Sequence, residues 1–234
     1  MAKAVGPYGQ VHAFEPQRII SQRLQANIAI NDLENVYVYN AAVGNQTGTI
    51  RMPYLNYSSE MNYGYLSLLD DFGSSLRYSV PLVTLDSIDF LNVFTGSSCP
   101  SLMKIDVEQM ELHVLQGGRQ LISSCRPIIY AENNKLESSA PLISIIYELD
   151  YVPYWHVTPC YNDANYKGTH VDISEGWMDV NIICIPSERL DILHPQQISM
   201  VGFIRIDGDR PYLYQYYSDD YVSTAGIPIS SYQN

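Results

Sequence analysis

Residues 102–132 read LMKIDVEQMELHVLQGGRQLISSCRPIIYAE, and this stretch decides the fold. Residues 102–106 and 127–132 are short apolar runs that predict buried strands. Between them, residues 108–123 carry apolar side chains at helical spacing. A strand, a helix and a second strand in this order are typical of an α/β sheet whose faces are covered by helices.

The same alternation extends over about the first 186 residues. Further strand-like runs are residues 10–15, 35–41, 152–157 and 180–185, and further helix-like stretches are residues 16–31 and 138–149. We therefore predict a doubly wound α/β domain over residues 1–186. Residues 187–234, which end in an acidic, tyrosine-rich segment, are predicted to form a partly irregular C-terminal extension.

One insertion, at about residues 47–79, interrupts this alternation. Residues 47–57 alternate weakly between apolar and polar side chains, and residues 58–79 are rich in Ser, Asn, Gly and Tyr. The pattern predicts a short hairpin followed by a long loop. Loops of this length are often lids or binding loops, and an inert surface excursion is the alternative.

The composition narrows the classes of function. The 234 residues carry 13 Lys+Arg against 25 Asp+Glu, a formal net charge of -12, so we expect no nucleic-acid partner and no membrane-surface binding. The first residues lack the apolar stretch of a signal peptide, and the four cysteines form no Cys-x-x-Cys pair. We predict a cytoplasmic protein in which Cys125 and Cys184 are reduced, buried and apolar in character.

Acidic side chains end three of the predicted strands. Glu15, Asp106 with Glu108, and Glu132 with Asn133 stand at or just after strand ends, where open α/β sheets bind their ligands. Glu15 fits an acid that accepts hydrogen bonds from ribose hydroxyls, or alternatively an acid that stabilises a helix N-terminus.

Asp106 and Glu108 have two further interpretations. They could cap the helix that follows, or they could share a cation with Glu132. Because carboxylates gather at sheet edges without a metal in many proteins, we predict no metal here.

These residues together resemble the FkbM family of methyltransferases, which use S-adenosylmethionine. The matching stretches are residues 11–16 (VHAFEP), 41–44 (AAVG), 83–86 (VTLD), 104–108 (KIDVE) and 127–133 (PIIYAEN), with Asn181 and Ile182. Their order and spacing agree over roughly residues 5–186. The resemblance implies a Rossmann-like, mostly parallel sheet of the class I methyltransferase type, with an antiparallel last strand.

The resemblance also implies roles for individual residues. Glu15 would hold the cofactor's ribose, Pro16 would also belong to the cofactor site, and the turn at Ala42 and Val43 would lie near the adenine. Asp106 and Glu108 would be catalytic, with Asp106 also touching the cofactor, and Glu132 and Asn133 would line the acceptor pocket. The expected reaction is methyl transfer to a hydroxyl of a small molecule or sugar.

The chain departs from the family pattern in two places. Residues 2–9 resemble the lead-in to the family's second strand, so we expect the first strand, its glycine-rich loop and the first helix to be missing here. A homodimer would then cover the exposed sheet edge. Gln109 also stands where the family has a glycine. The alternative function is a non-catalytic interaction protein on a degenerate or truncated methyltransferase fold.

Overall fold

The computed structural model describes residues 1–57, 76–88 and 99–192 except 163, 173 and 175, together with the backbone of 204–205. The chain forms two compact units, Met1–Pro100 with His113–Cys125, and Ser101–Leu112 with Arg126–Asn234. Both contain sheets, and the mixed α/β class predicted from the sequence is confirmed. The predicted domain boundary at residue 186 stays a prediction.

The first unit contains short sheets and one long helix. Its elements are α1 (Ala2–Val5), β1 (Val11–Phe14), α2 (Arg18–Ile30), β2 (Val36–Tyr39), β3 (Ala42–Val43), β4 (Gly48–Pro53), β5 (Arg77–Val83) and a 3-10 turn (Leu85–Ser87). Strand β1 pairs in parallel with β2, while β5 pairs in parallel with β3 and antiparallel with β4. The hairpin predicted within residues 47–57 is wrong, because β4 pairs with β5, a strand that begins at Arg77. The loop predicted over residues 58–79 lies mostly outside the described residues, and its last three residues belong to β5.

The second unit is built on one five-stranded sheet. Its elements are β6 (Leu102–Ile105), β7 (Ile128–Glu132), α5 (Leu136–Glu148), β8 (Tyr151–Pro159), β9 (Met178–Pro186), a 3-10 segment (Ser187–Ile192) and β10 (Ile204–Arg205). The strand order is β10-β8-β9-β7-β6, with β6 parallel to β7 and β9 antiparallel to both of its neighbours. The sequence analysis expected a mostly parallel sheet with an antiparallel last strand, whereas in the described part of this sheet only β6 and β7 pair in parallel. The Rossmann-like arrangement stays a prediction.

The core of the second unit contains alternate residues of β7 and consecutive residues of β8 and β9. Ile129 and Ala131 on β7 alternate with partly exposed residues and are fully buried, as are Ile182 and Cys184 on β9. Burial also raises the pKa of the Cys184 thiol, so this cysteine is a small buried hydrophobe as predicted. Helix α5 packs against β8 and buries the apolar side chains that its helical spacing predicted.

The prediction of a single helix over residues 108–123 is wrong. The structure has α3 (Glu111–Gln116) and α4 (Arg119–Cys125), separated by Gly117 and Gly118. A Cβ atom on Gly117 would lie 2.0 Å from the carbonyl oxygen of Gly44, a distance that no side chain tolerates. Position 117 therefore requires glycine, and the two glycines, which disfavour helix, separate α3 from α4.

A carboxylate that is distant in the sequence caps the N-terminus of α4. Asp86, in the 3-10 turn after β5, accepts hydrogen bonds from the backbone N–H groups of Gln120 at 3.1 Å and Leu121 at 2.9 Å. These donors have no partner within the helix, so Asp86 satisfies them as an N-terminal cap would. Apolar spacing along residues 108–123 carries no sign of a cap that comes from 34 residues away.

The prediction that Cys125 is reduced is also wrong. Cys125, at the end of α4, forms a disulfide with Cys99, and their Cα atoms are 5.1 Å apart. The two residues are 26 positions apart, and nothing in their spacing indicates that the fold joins them. Disulfides persist in oxidising compartments, so this bond weighs against the predicted cytoplasmic location. None of the described helices has both the length and the apolar composition to cross a bilayer.

Candidate functional site

The carboxylate predicted to bind a ribose lies at the end of β1. Glu15 is half-buried, and its backbone N–H donates to the carbonyl oxygen of Tyr39 on β2 at 3.0 Å. Burial raises the pKa of the Glu15 carboxyl, while a hydrogen bond from the backbone N–H of Gln17 at 2.7 Å opposes that rise. Gln17 is the N-cap of α2, so Glu15 contacts the residue just before the first helical turn, and both interpretations of Glu15 stay predictions.

Polar and aromatic side chains from other elements surround Glu15, and the sequence analysis did not find them. Asn40 donates through Nδ2 to the carbonyl oxygens of Glu15 and Pro16 at 2.8 and 3.0 Å, which holds the turn between β1 and α2. Burial, Tyr78 and Glu15 together raise the pKa of Tyr57 to about 12. Tyr57 and Tyr78 come from segments far along the chain, so spacing around Glu15 could not indicate them.

The other residues predicted to touch the cofactor have different local structures from those expected. Pro16 precedes the N-cap of α2 instead of lying in its first turn. Ala42 and Val43 form the short strand β3 instead of a turn, and their side chains are buried. Only the backbone of β3 is therefore suited to contact a ligand, and the predicted adenine contact stays a prediction.

Three predicted carboxylates of the second unit meet at one end of its sheet. Asp106 follows β6, Glu108 lies two residues later, and Glu132 ends β7. One carboxylate oxygen from each of the three lies within 4.8 Å of the other two, and we call these residues the acidic cluster. The structure therefore brings Asp106, Glu108 and Glu132 together, whereas Glu15, Pro16, Ala42 and Val43 belong to the first unit.

The pKa of Glu132 is strongly affected by its neighbours in the acidic cluster. Burial, followed by the charges of Glu108, Asp106 and Glu111, raises its pKa to about 7. Asn134 donates a hydrogen bond to Glu132 through Nδ2, and Lys104 forms an ion pair with Asp106. Both members of that ion pair are close to half exposed, so the pair offsets little of the cluster's repulsion.

The loop that carries Glu108 has an uncommon backbone. Glu108 and Gln109 both have positive φ angles, of 51° and 75°, in the left-handed region that favours glycine. Buried Glu111 supports the loop, because its Oε1 accepts a hydrogen bond from the backbone N–H of Val107 at 3.1 Å. Gln109, where the resemblance leads us to expect a glycine, thus stands at a place where glycine would relieve strain.

Two asparagines flank Glu132 on opposite faces of the sheet. The Asn133 backbone N–H donates to the carbonyl oxygen of Val180, so the strand ladder continues past Glu132. Strand alternation therefore directs Asn133 to the face opposite Glu132. Asn181 on β9 stands directly opposite Glu132 in the antiparallel register and shares its face. Glu132 and Asn133, predicted to line one pocket, thus point to different faces.

The carboxylates of the acidic cluster are suited to a few chemical roles. Carboxylates held together can bind a cation or an ammonium group, or accept a proton from a hydroxyl. On the same face of the sheet, the Tyr130 hydroxyl and His156 Nδ1 are hydrogen-bonded at 2.8 Å, and they add a polar pair suited to contacting a hydroxylated ligand.

The comparisons with known proteins identify a class for this chain. The profile of the Methyltransferase FkbM domain matches residues 1–167. The chain therefore belongs to the FkbM methyltransferase domain family, as the sequence analysis predicted.

One solved structure is similar to this chain, methyltransferase FkbM from Methylobacillus flagellatus KT. The two chains share 18% sequence identity with a TM-score of 0.43, and the match covers 74% of this chain and 36% of that protein. This chain thus spans about a third of the length of the solved relative. A comparison with curated proteins found no match.

Proposed function

We propose that this chain is a methyltransferase domain that uses S-adenosylmethionine to methylate a hydroxyl of a small molecule or sugar. The FkbM domain match over residues 1–167 carries the proposal. It spans Glu15 and the acidic cluster, the two sets of carboxylates that the residue roles require. No feature of the described residues favours the non-catalytic alternative.

The finer fold assignment belongs to this proposal. We infer a doubly wound, Rossmann-like sheet for this domain. The parallel pairs of β1 with β2 and of β6 with β7 support this inference.

Glu15 and the acidic cluster have separate tasks in the proposed reaction. S-adenosylmethionine would supply an electrophilic methyl group, whose bond to the positively charged sulfur would break as the acceptor oxygen attacks the carbon in line, with the neutral thioether as leaving group. Glu15 would accept hydrogen bonds from the ribose hydroxyls, because its half-buried carboxylate has acceptor capacity beyond its contact with Gln17. A cluster carboxylate, Asp106 or Glu108, would take the acceptor's proton, and Glu132 would orient the hydroxyl.

The experiment is a calorimetric titration of the 234-residue chain with S-adenosylhomocysteine. We expect saturable binding that Glu15→Gln weakens, because the amide replaces one acceptor oxygen by a donor. Glu34→Gln, an exposed acid in the loop before β2, is the matched control and should bind like the wild type.

Two outcomes would contradict the proposal. No heat from a sample with native circular dichroism would mean that this chain does not bind the cofactor. Unchanged binding by a folded Glu15→Gln variant would remove Glu15 from the cofactor site and leave the helix N-terminus as its role.

A further inference from the structure

Two tripeptides in the first unit have the pattern of an N-glycosylation acceptor. They are residues 45–47 (NQT) and 56–58 (NYS), in each of which an asparagine stands two positions before a hydroxyl and the middle residue is not proline. No other asparagine of the 234 residues stands in this pattern. Because the pattern alone is common, its meaning depends on the exposure of the asparagine and on the compartment in which the chain folds.

Both asparagines are exposed and lie outside the helices and strands. Asn45 lies in the bend between β3 and β4, where residues 45–49 are all exposed. Asn56 lies three residues after the end of β4 and is exposed as well. Glycan acceptors occur in surface loops of this kind, because a bulky, hydrated oligosaccharide does not fit into a packed core.

The hydrogen bond of the Asn45 side chain is compatible with a glycan. Its Nδ2 donates to Oε1 of Gln116, at the end of α3, at 3.1 Å, and both residues are exposed. An asparagine amide nitrogen carries two protons, and N-glycosylation replaces one of them. The remaining N–H can still donate to Gln116, so a glycan on Asn45 does not require the loss of this contact.

The disulfide is an independent observation on the compartment. Cys99 and Cys125, which form it, belong to the same unit as the two acceptor asparagines. Disulfides persist in the lumen of the endoplasmic reticulum and in secreted proteins, and they are rare in the cytosol. N-glycosylation takes place in that same oxidising lumen, so the disulfide and the acceptor pattern require the same location.

We propose that Asn45 and Asn56 carry N-linked oligosaccharides, added in an oxidising secretory compartment. The glycan donor is a lipid-linked diphosphate oligosaccharide. The bond between the anomeric carbon of its first sugar and the diphosphate oxygen breaks, a bond between that carbon and Nδ2 forms, and the amide loses one proton as the lipid diphosphate leaves. Nothing is oxidised or reduced. The inference goes beyond methyl transfer and does not depend on it.

The first test expresses the 234-residue chain behind a cleavable secretion signal in a eukaryotic host and treats the secreted protein with a peptide N-glycosidase. We expect electrophoretic mobility to increase on treatment, in two steps when digestion is partial. Asn45→Gln and Asn56→Gln should each remove one step, and the double variant should show none. Asn27→Gln, which replaces an exposed asparagine of α2 outside the pattern, is the matched control and should keep both steps.

Substitutions at the hydroxyl separate glycosylation from other effects of the asparagine. Thr47→Ala should abolish the glycan on Asn45 although the asparagine is kept, whereas Thr47→Ser should retain it. A glycan that survives on Asn45 in Thr47→Ala would contradict the assignment to this pattern.

The second test uses the protein purified from the cells that make it. Digestion with the N-glycosidase in water enriched in heavy oxygen converts a glycosylated asparagine to a labelled aspartate, which mass spectrometry locates. We expect label at positions 45 and 56. Unlabelled asparagine at both positions would overturn the proposal, and so would a folded, secreted chain without glycan in the first test. Because neither test involves a cofactor, the result is independent of the proposed methyl transfer.

Discussion

The charged side chains at the two ends of strand β7 differ in whether they have partners of opposite charge. Before its first residue, Arg126 donates to the carbonyl oxygens of Leu149 and Asp150, both at 2.7 Å, and to both carboxylate oxygens of Glu188 at 2.8 Å. Its guanidinium also lies over the ring of Tyr151, 4.5 Å from the centroid. At the other end, Glu132 faces carboxylates of the same sign.

The pKa values record this difference. A hydrogen bond from Arg126 lowers the pKa of the Glu188 carboxyl to about 2, whereas burial and neighbouring acids raise that of Glu132 to about 7. The first end is a satisfied network that stabilises the fold. The second carries repulsion that a ligand could relieve, and such unfavourable electrostatics concentrate at functional sites.

The largest effect on stability should come from substituting Arg126, which forms the hydrogen bonds at the first end of β7. Arg126→Met removes the donors of two backbone carbonyls and the partner of Glu188, so we expect the free energy of unfolding to fall by roughly 2–4 kcal/mol. Urea denaturation followed by circular dichroism measures this loss. Arg126→Lys keeps the charge but not the planar fork and should recover only part of the stability. Full recovery of stability in Arg126→Lys would mean that the positive charge alone, and not the planar guanidinium, stabilises this end of β7.

The second largest effect should come from substituting Glu132 at the opposite end of β7. This substitution should raise stability, whereas the loss of Arg126 lowers it. Because the pKa of Glu132 is raised in the folded state, that state binds more protons between about pH 4.5 and 7, and stability falls as the pH rises through this window. Glu132→Gln should therefore raise the free energy of unfolding at pH 8. After discounting for partial exposure, we expect a gain of about 1 kcal/mol.

The same variant should differ little from the wild type at pH 4, where Glu132 is protonated in both states. Urea denaturation at the two pH values, with EDTA present, checks both expectations. Glu137→Gln removes an equal charge away from the cluster and is the control at pH 8. A loss of stability in Glu132→Gln at pH 8 would show that its carboxylate is satisfied after all.

The smallest effect concerns the strained loop beside the acidic cluster. Gln109 has a φ of 75°, a conformation that costs about 1–2 kcal/mol for a side-chain-bearing residue. Gln109→Gly removes this strain but adds about 0.5–1 kcal/mol of chain entropy, so we expect a net gain of about 0.5 kcal/mol.

Thermal unfolding of Gln109→Gly measures this gain. Gln25→Gly, in the middle of α2, is the matched control and should lose roughly 1 kcal/mol, because its backbone is already helical. If both variants lose stability equally, the loop at Gln109 is not strained.

Local patterns were sufficient for most of the elements. The apolar run before Glu132 and its equivalents predicted six strands that the structure contains, because burial on a sheet depends on residues close in sequence. The polar ends of β6 and β7 also predicted that Asp106, Glu108 and Glu132 would meet, since parallel strands bring their carboxyl ends to one edge.

Features that depend on distant residues could not be predicted in this way. The need for glycine at position 117 follows from the approach of Gly44, and the disulfide joins Cys125 to a cysteine 26 residues away. The position of Asn181 beside Glu132 depends on the register of β9, which no local pattern specifies.

The amino-acid sequence by itself therefore determined the class of this chain, six of its strands and the carboxylates at the ends of three of them, because these follow from short-range periodicity and from motifs in order. Only the tertiary structure decided which charges are satisfied. A pKa, a cap or a buried amide depends on atoms brought together from distant segments, and those contacts exist only once the chain has folded.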